Sequence, residues 1–180
     1  MLDPYDDMPT RVLIAEDETI IRLDLRQLLE ENGFIVCGEA RDGAEAIALA
    51  RAAEPDLALL DIRMPGIDGI ECARRIMAER PIPIVMVTAH SDRGLVERAL
   101  AAGAFAYLSK PFRASDLVPA IRAALVRHRE LIDARRALGR TAAASGASVE
   151  LAVTSPAGRV WPLRLHRHAD GTLDVRVIEG

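Results

Sequence analysis

Three apolar runs in this chain of 180 residues stop abruptly at ionisable side chains. Leu57-Ala58-Leu59-Leu60 stops at Asp61, with Pro65-Gly66 just beyond; Val12-Leu13-Ile14-Ala15 stops at Glu16-Asp17-Glu18; Ala106-Tyr107-Leu108-Ser109 stops at Lys110-Pro111. Runs this short read as strands buried on both faces. In an open α/β sheet the carboxyl ends of such strands converge on the edge where ligands bind. Carboxylates and an ammonium would then share one pocket. Asp61 taken alone could simply cap the next helix, and it is the other two strand ends that favour chemistry. Lys110 is the only lysine among 23 basic residues, so a chain that otherwise uses Arg keeps a compact, flexible point charge at this one place.

Carboxylates gathered this way repel. Two unit charges about 4 Å apart cost roughly 4 kcal/mol at an effective dielectric near 20, and one of them is pushed towards protonation unless a cation is present. A divalent cation removes that cost, and all-oxygen ligands with room for water favour Mg²⁺. A nucleotide-binding sheet would carry a Gly-rich turn after its first strand; Glu16-Asp17-Glu18 stands there instead. No dedicated general acid or base is evident beside Asp61, which argues against an enzyme turning over a free substrate.

The elements that must position these groups alternate. Strands are predicted over 11–16, 34–38, 56–61, 82–88 and 105–108. Helices are predicted over 19–31, 43–53 and about 69–79, from behind Ser91-Asp92 to Gly103, and from behind Ser115. In the first helix Ile20, Leu23, Leu25, Leu28 and Leu29 form a broad apolar stripe. Five strands alternating with five helices predict an α/β doubly wound parallel sheet joined by right-handed crossovers.

The last helix overruns the pattern. Leu117, Ile121, Ala124, Leu125, His128, Leu131, Ile132, Arg135 and Leu138 keep three-four spacing, either as a coiled-coil stalk or as a longer helix lying on its own domain. Arg127, Arg129, Arg135, Arg136 and Arg140 make its end basic, as a solvated cationic face or as an RNA contact. A small-residue linker over 141–148 follows. The period then changes to two: Val149, Leu151, Val153, then Trp161, Leu163, Leu165, then Leu173, Val175, Val177. With turns at Pro156-Ala157-Gly158 and Asp170-Gly171, this reads as a three-stranded antiparallel meander, and Pro162 suggests a bulge. So small a sheet cannot bury its face alone. His166 and His168 could bind metal, though polar filling is the simpler account.

With these residues in place, the chain resembles the CheY-like receiver domain of two-component response regulators. Glu16 and Asp17 match the acidic pair, Asp61 the phosphoacceptor, Thr88 the hydroxyl residue, Tyr107 the switch aromatic and Lys110-Pro111 the Lys-Pro step. Within that family it looks most like receivers that precede RNA-binding antiterminator modules of the AmiR and NasT (ANTAR) kind, although the tail shows no such module. The resemblance implies a flavodoxin-like strand order 2-1-3-4-5 and a cis Lys110-Pro111 peptide. It assigns Mg²⁺ to Asp17, Asp61 and the backbone carbonyl of Arg63, with Glu16 acting through water. Glu in place of the commoner Asp at position 16 is a mild departure. The resemblance further implies that a sensor histidine kinase phosphorylates Asp61 while Lys110 and Thr88 hold phosphoryl oxygens, and that Tyr107 turns inward with Thr88; a static, half-buried Tyr107 is the alternative.

The domain organisation expected is a disordered 1–10, a receiver over 11–128, an extended helix and linker over 129–148, and a β-meander tail over 149–180. The formal charge of −4 lies wholly before the tail, which carries four Arg and four acidic residues. Neither part is basic enough to announce nucleic acid. Cys37 and Cys72 read as buried free thiols of a reducing compartment, and no run reaches membrane-spanning length. A cytoplasmic phosphorylation switch is expected, acting through a homodimer or a protein partner of the tail, with an antiterminator reading as the alternative.

Overall fold

A computed structural model of the chain describes residues 9–89, 93–141, 148–154, 160–167 and 173–177. The expected disorder before residue 9, the linker over 142–147, His168 and the two tail turns lie outside the described residues. The chain divides into two compact units, Met1–Leu125 and Val126–Gly180.

In the first unit the order is β1 (Arg11–Ala15), α1 (Thr19–Glu31), β2 (Ile35–Ala40), α2 (Gly43–Ala53), β3 (Leu57–Asp61), α3 (Gly69–Glu79), β4 (Ile84–Thr88), α4 (Arg93–Ala101), β5 (Ala106–Ser109) and the start of α5 (Ala114–Thr141), whose residues from Val126 on belong to the second unit. The five strands are parallel in the order β2-β1-β3-β4-β5, the arrangement the family pattern implied. β3 and β4 are buried along their whole length, as strands covered on both faces must be.

Side chains alternate across the sheet. Leu13, Ala58, Leu60, Ile84 and Met86 pack on one face with Ala46, Ile47, Cys72, Ala73 and Ile76. Val12, Ile14, Leu57, Leu59, Val85 and Val87 pack on the other with Leu25, Leu29, Leu117 and Ile121. Two of the helices, α2 and α3, start on built caps: the Asp42 carboxylate accepts from the Glu45 N–H at 2.8 Å, and Asp68 from the Glu71 N–H at 2.8 Å. α5 begins at Ala114, one residue before Ser115 and earlier than expected, because the Asp116 carboxylate reaches back to the Arg113 N–H at 3.0 Å.

Further expectations for the first unit need correction. The α1 stripe is rotated: Ile20 is 76% and Leu23 53% exposed, whereas Arg22 is 8% exposed beside Leu25 and Leu29. Positions 22, 25 and 29 are the three-four set that faces the sheet. β2 starts one residue late and runs two further, to Ala40. Cys37 is only partly buried, because β2 is an edge strand, while Cys72 is buried with its thiol pushed up to about 12 by desolvation.

In the second unit, β6 (Ser148–Thr154), β7 (Val160–Arg167) and β8 (Leu173–Val177) pair antiparallel in that order. Val149, Leu151 and Val153 stand opposite Leu165, Leu163 and Trp161. Pro162 pairs with Ala152 in an unbroken register, so no bulge forms there. β8 reaches only to Leu163, leaving Pro162 beyond the end of that ladder.

Candidate functional site

The carboxyl edge of the sheet brings the strand ends together. Glu16 follows β1, Asp61 ends β3, Thr88 ends β4 and Lys110 follows β5. Glu16 is fully buried, and Asp61 and Thr88 are 5% and 2% exposed. Asp17 is exposed, yet carboxylate oxygens of Glu16, Asp17 and Asp61 lie within 4.8 Å of one another.

Lys110 reaches into this cluster from the next-but-one strand. Its ammonium donates to Asp61 Oδ2 at 3.0 Å and lies 2.7 Å from Glu16 Oε2. The second contact is a close ion pair between two side chains withdrawn from solvent. Burial works against the charged lysine, but its contacts with Glu16 and Asp61 outweigh it and hold the ammonium above the ordinary lysine range. Desolvation raises Glu16 above the usual carboxylate range, with the Asp61 charge adding to it and Lys110 opposing. The Lys110 main-chain N–H donates to the Thr88 carbonyl at 2.8 Å, and Lys110-Pro111 is cis.

Backbone groups complete the shell. The Arg63 N–H donates to Asp61 Oδ1 at 3.3 Å, and the Glu18 N–H to Glu16 Oε1 at 3.2 Å. Tyr107 stands on β5 opposite Met86, 38% exposed. Gly69 opens α3 against the main chain of Asp61: a Cβ there would overlap the Asp61 carbonyl oxygen and lie 2.9 Å from Ile62 Cα. α3 can therefore start directly beneath the acid only with glycine at its first position.

The donor set is all oxygen and closely spaced, and it sets three carboxylates against one ammonium. This is what a hard divalent cation requires, and the residues fit Mg²⁺. Two residues that brace the cluster escaped sequence reasoning: Arg22, hidden by its charge on an apolar helix, and Glu39, hidden by a strand boundary placed too early. The signal for Arg22 was its spacing of three and seven from Leu25 and Leu29.

The response regulator receiver domain matches residues 12–122, and the chain belongs to that family. It is 55% identical over 124 residues to the transcriptional regulatory protein PdtaR of Mycobacterium tuberculosis, covering 69% of this chain and 60% of that one. With the transcriptional regulatory protein CseB of Streptomyces coelicolor the identity is 40% over 137 residues, 76% of this chain and 58% of the relative. The chain thus spans about three fifths of the length of these curated relatives. Among solved structures, the signal receiver domain of a modulated diguanylate cyclase from Desulfovibrio desulfuricans superposes with a TM-score of 0.64 at 36% identity, covering 68% of this chain and 98% of that one. The CheX–CheY–BeF₃–Mg²⁺ complex from Borrelia burgdorferi matches with a TM-score of 0.63 at 28% identity, covering 67% and 92%. Among the described residues no helix is long and apolar enough to cross a membrane.

Proposed function

We propose that the chain is a phosphorylation switch in which Asp61 takes a phosphoryl group from the phosphohistidine of a sensor kinase. The observation that carries this reading is the Lys110 ammonium in contact with both Asp61, 3.0 Å away, and Glu16, 2.7 Å away, beside Asp17. An Asp61 carboxylate oxygen attacks phosphorus, the P–N bond to the imidazole breaks as the P–O bond forms, and the electron pair leaves on the imidazole. The transferring group holds its charge on equatorial oxygens, so positioning and neutralisation supply the catalysis. Asp17, Asp61 and the Arg63 carbonyl, with Glu16 through water, would hold Mg²⁺, which when bound neutralises phosphoryl charge. Lys110 takes a second oxygen, releasing Asp61 Oδ2, and the Thr88 hydroxyl takes a third.

In this reading Thr88 and Tyr107 are the switch, and the chain acts as a signalling protein of the cytoplasm that turns over no free substrate. The complex of CheY with BeF₃ and Mg²⁺ supports the same pocket chemistry here. Output is phosphorylation-dependent self-association or capture of a protein partner, with the receiver over 11–128 and a separate tail. The names of the relatives, transcriptional regulatory proteins, favour a role in transcription as the second reading, of which an RNA-binding antiterminator is the form the receiver resembles; submicromolar, steeply salt-sensitive RNA binding in gel shifts would establish it.

Two expected outcomes test the pocket. Mg²⁺ added to chelator-treated protein raises the thermal midpoint, since a ligand of the native state present at 100 times its dissociation constant contributes about 2.7 kcal/mol. Asp17→Asn shrinks that rise; an unchanged rise places the cation elsewhere. Lys110→Arg folds but is labelled by acetyl phosphate roughly 100-fold more slowly, the order of effect of losing one preorganised donor, because a planar fork does not fit between Asp61 and Glu16. Wild-type labelling of that variant would show that the single lysine is incidental.

A further inference from the structure

We infer that Arg22 is a positioning residue that sets the Mg²⁺ affinity of the acidic cluster by holding the main chain of Glu16. The inference rests on the cation reading of the pocket. Arg22 is 8% exposed, and a guanidinium is costly to bury unless its N–H groups are used. One terminal nitrogen donates to the Glu16 carbonyl oxygen at 2.7 Å, and the other to Thr19 Oγ1 at 3.4 Å. Its main-chain N–H donates to the Glu18 carbonyl at 2.9 Å. Arg22 therefore grips both ends of the Glu16-Asp17-Glu18 turn.

β2 anchors the grip. Its last residue, Ala40, accepts from the Glu16 N–H at 3.1 Å. Glu39, just before it, lies 3.7 Å from Arg22 Nε and accepts from Arg26 at 3.1 Å. Glu16 is thus held at its N–H by Ala40, at its carbonyl by Arg22, at Oε1 by Glu18 and at Oε2 by Lys110. Among the described residues Arg22 is the one holder of the main-chain carbonyl, which is the pivot from Glu16 to Asp17. Because its bond is to that carbonyl and not to a carboxylate, it acts on a cation through the placement of the two acids, beyond the charge that a lysine would also carry. Outer partners of metal ligands commonly change affinity in this way. Lysine keeps the charge but cannot span the carbonyl, Thr19 and Glu39 at once.

The test is Mg²⁺ titration of the full chain by calorimetry and by thermal midpoint, with acetyl phosphate labelling measured across the same concentrations. Arg22→Lys is expected to weaken Mg²⁺ binding by about tenfold, with labelling recovered at saturating Mg²⁺. Glu39→Gln, which loosens the anchor while leaving Arg22 in place, should weaken it by a smaller factor, and Glu30→Gln, on the exposed Arg26 pair, should not change it. A folded Arg22→Lys variant that binds Mg²⁺ like the wild type overturns the inference, as does slow labelling that saturating Mg²⁺ fails to restore. If Arg22→Lys does not fold, Glu39→Gln decides, and unchanged affinity there overturns it. A wild-type chain that binds no Mg²⁺ overturns the pocket reading itself, an outcome distinct from wild-type binding that Arg22→Lys leaves unaltered.

Discussion

Asp61→Asn is expected to fold and to take no label from acetyl phosphate or from a phosphorylated histidine kinase. The amide has the shape of the carboxylate and keeps an oxygen for the Arg63 N–H, which lies 3.3 Å away in the native site. It lacks the nucleophilic charge on which the P–O bond depends. The loss should therefore be complete, not partial. Removing one of three crowded carboxylates also relieves repulsion, so the metal-free variant should melt no lower than the wild type while gaining less from Mg²⁺. Loss of labelling accompanied by loss of the fold would leave Asp61 a structural residue, and wild-type labelling would move the phosphoacceptor elsewhere.

Gly69→Ala should be the most damaging single-methyl addition in the receiver. The added Cβ overlaps the Asp61 carbonyl oxygen and sits 2.8 Å from the Asp61 carbonyl carbon and 2.9 Å from Ile62 Cα. These neighbours are main chain and cannot rotate away. Either α3 is displaced or the end of β3 gives, at a cost of about 3 kcal/mol or more. Gly33→Ala is the control: its φ of 85° disfavours alanine, but nothing lies within 4 Å. It should lose about 1 kcal/mol and label normally. Thermal or urea unfolding, read beside labelling, separates the two; equal losses at both positions would mean that α3 accommodates the methyl and that Gly69 is not what seats it beneath Asp61.

The alternation of apolar runs with amphipathic stretches determined the α/β class, because strands buried on both faces and helices facing a sheet have different periods. The abrupt stops of those runs at Glu16-Asp17, Asp61 and Lys110 were legible for a related reason: a charge directly after a buried strand can only lie at the sheet edge. Strand order was not in the periodicity and came from the family pattern, and the observed sheet has it. Only the tertiary structure decided which face of α1 is buried. Six of the thirteen residues of that helix are apolar and they are scattered around it, so their spacing permits more than one stripe, and the sheet selected the one through Arg22 and left Ile20 and Leu23 in solvent. The roles of Glu39 and Gly69 were likewise invisible, since each depends on a neighbour brought close by the fold. A sequence shows what a side chain can do, but a carbonyl 2.7 Å from a guanidinium, or a helix start pressed against a strand end, exists only once the chain has packed.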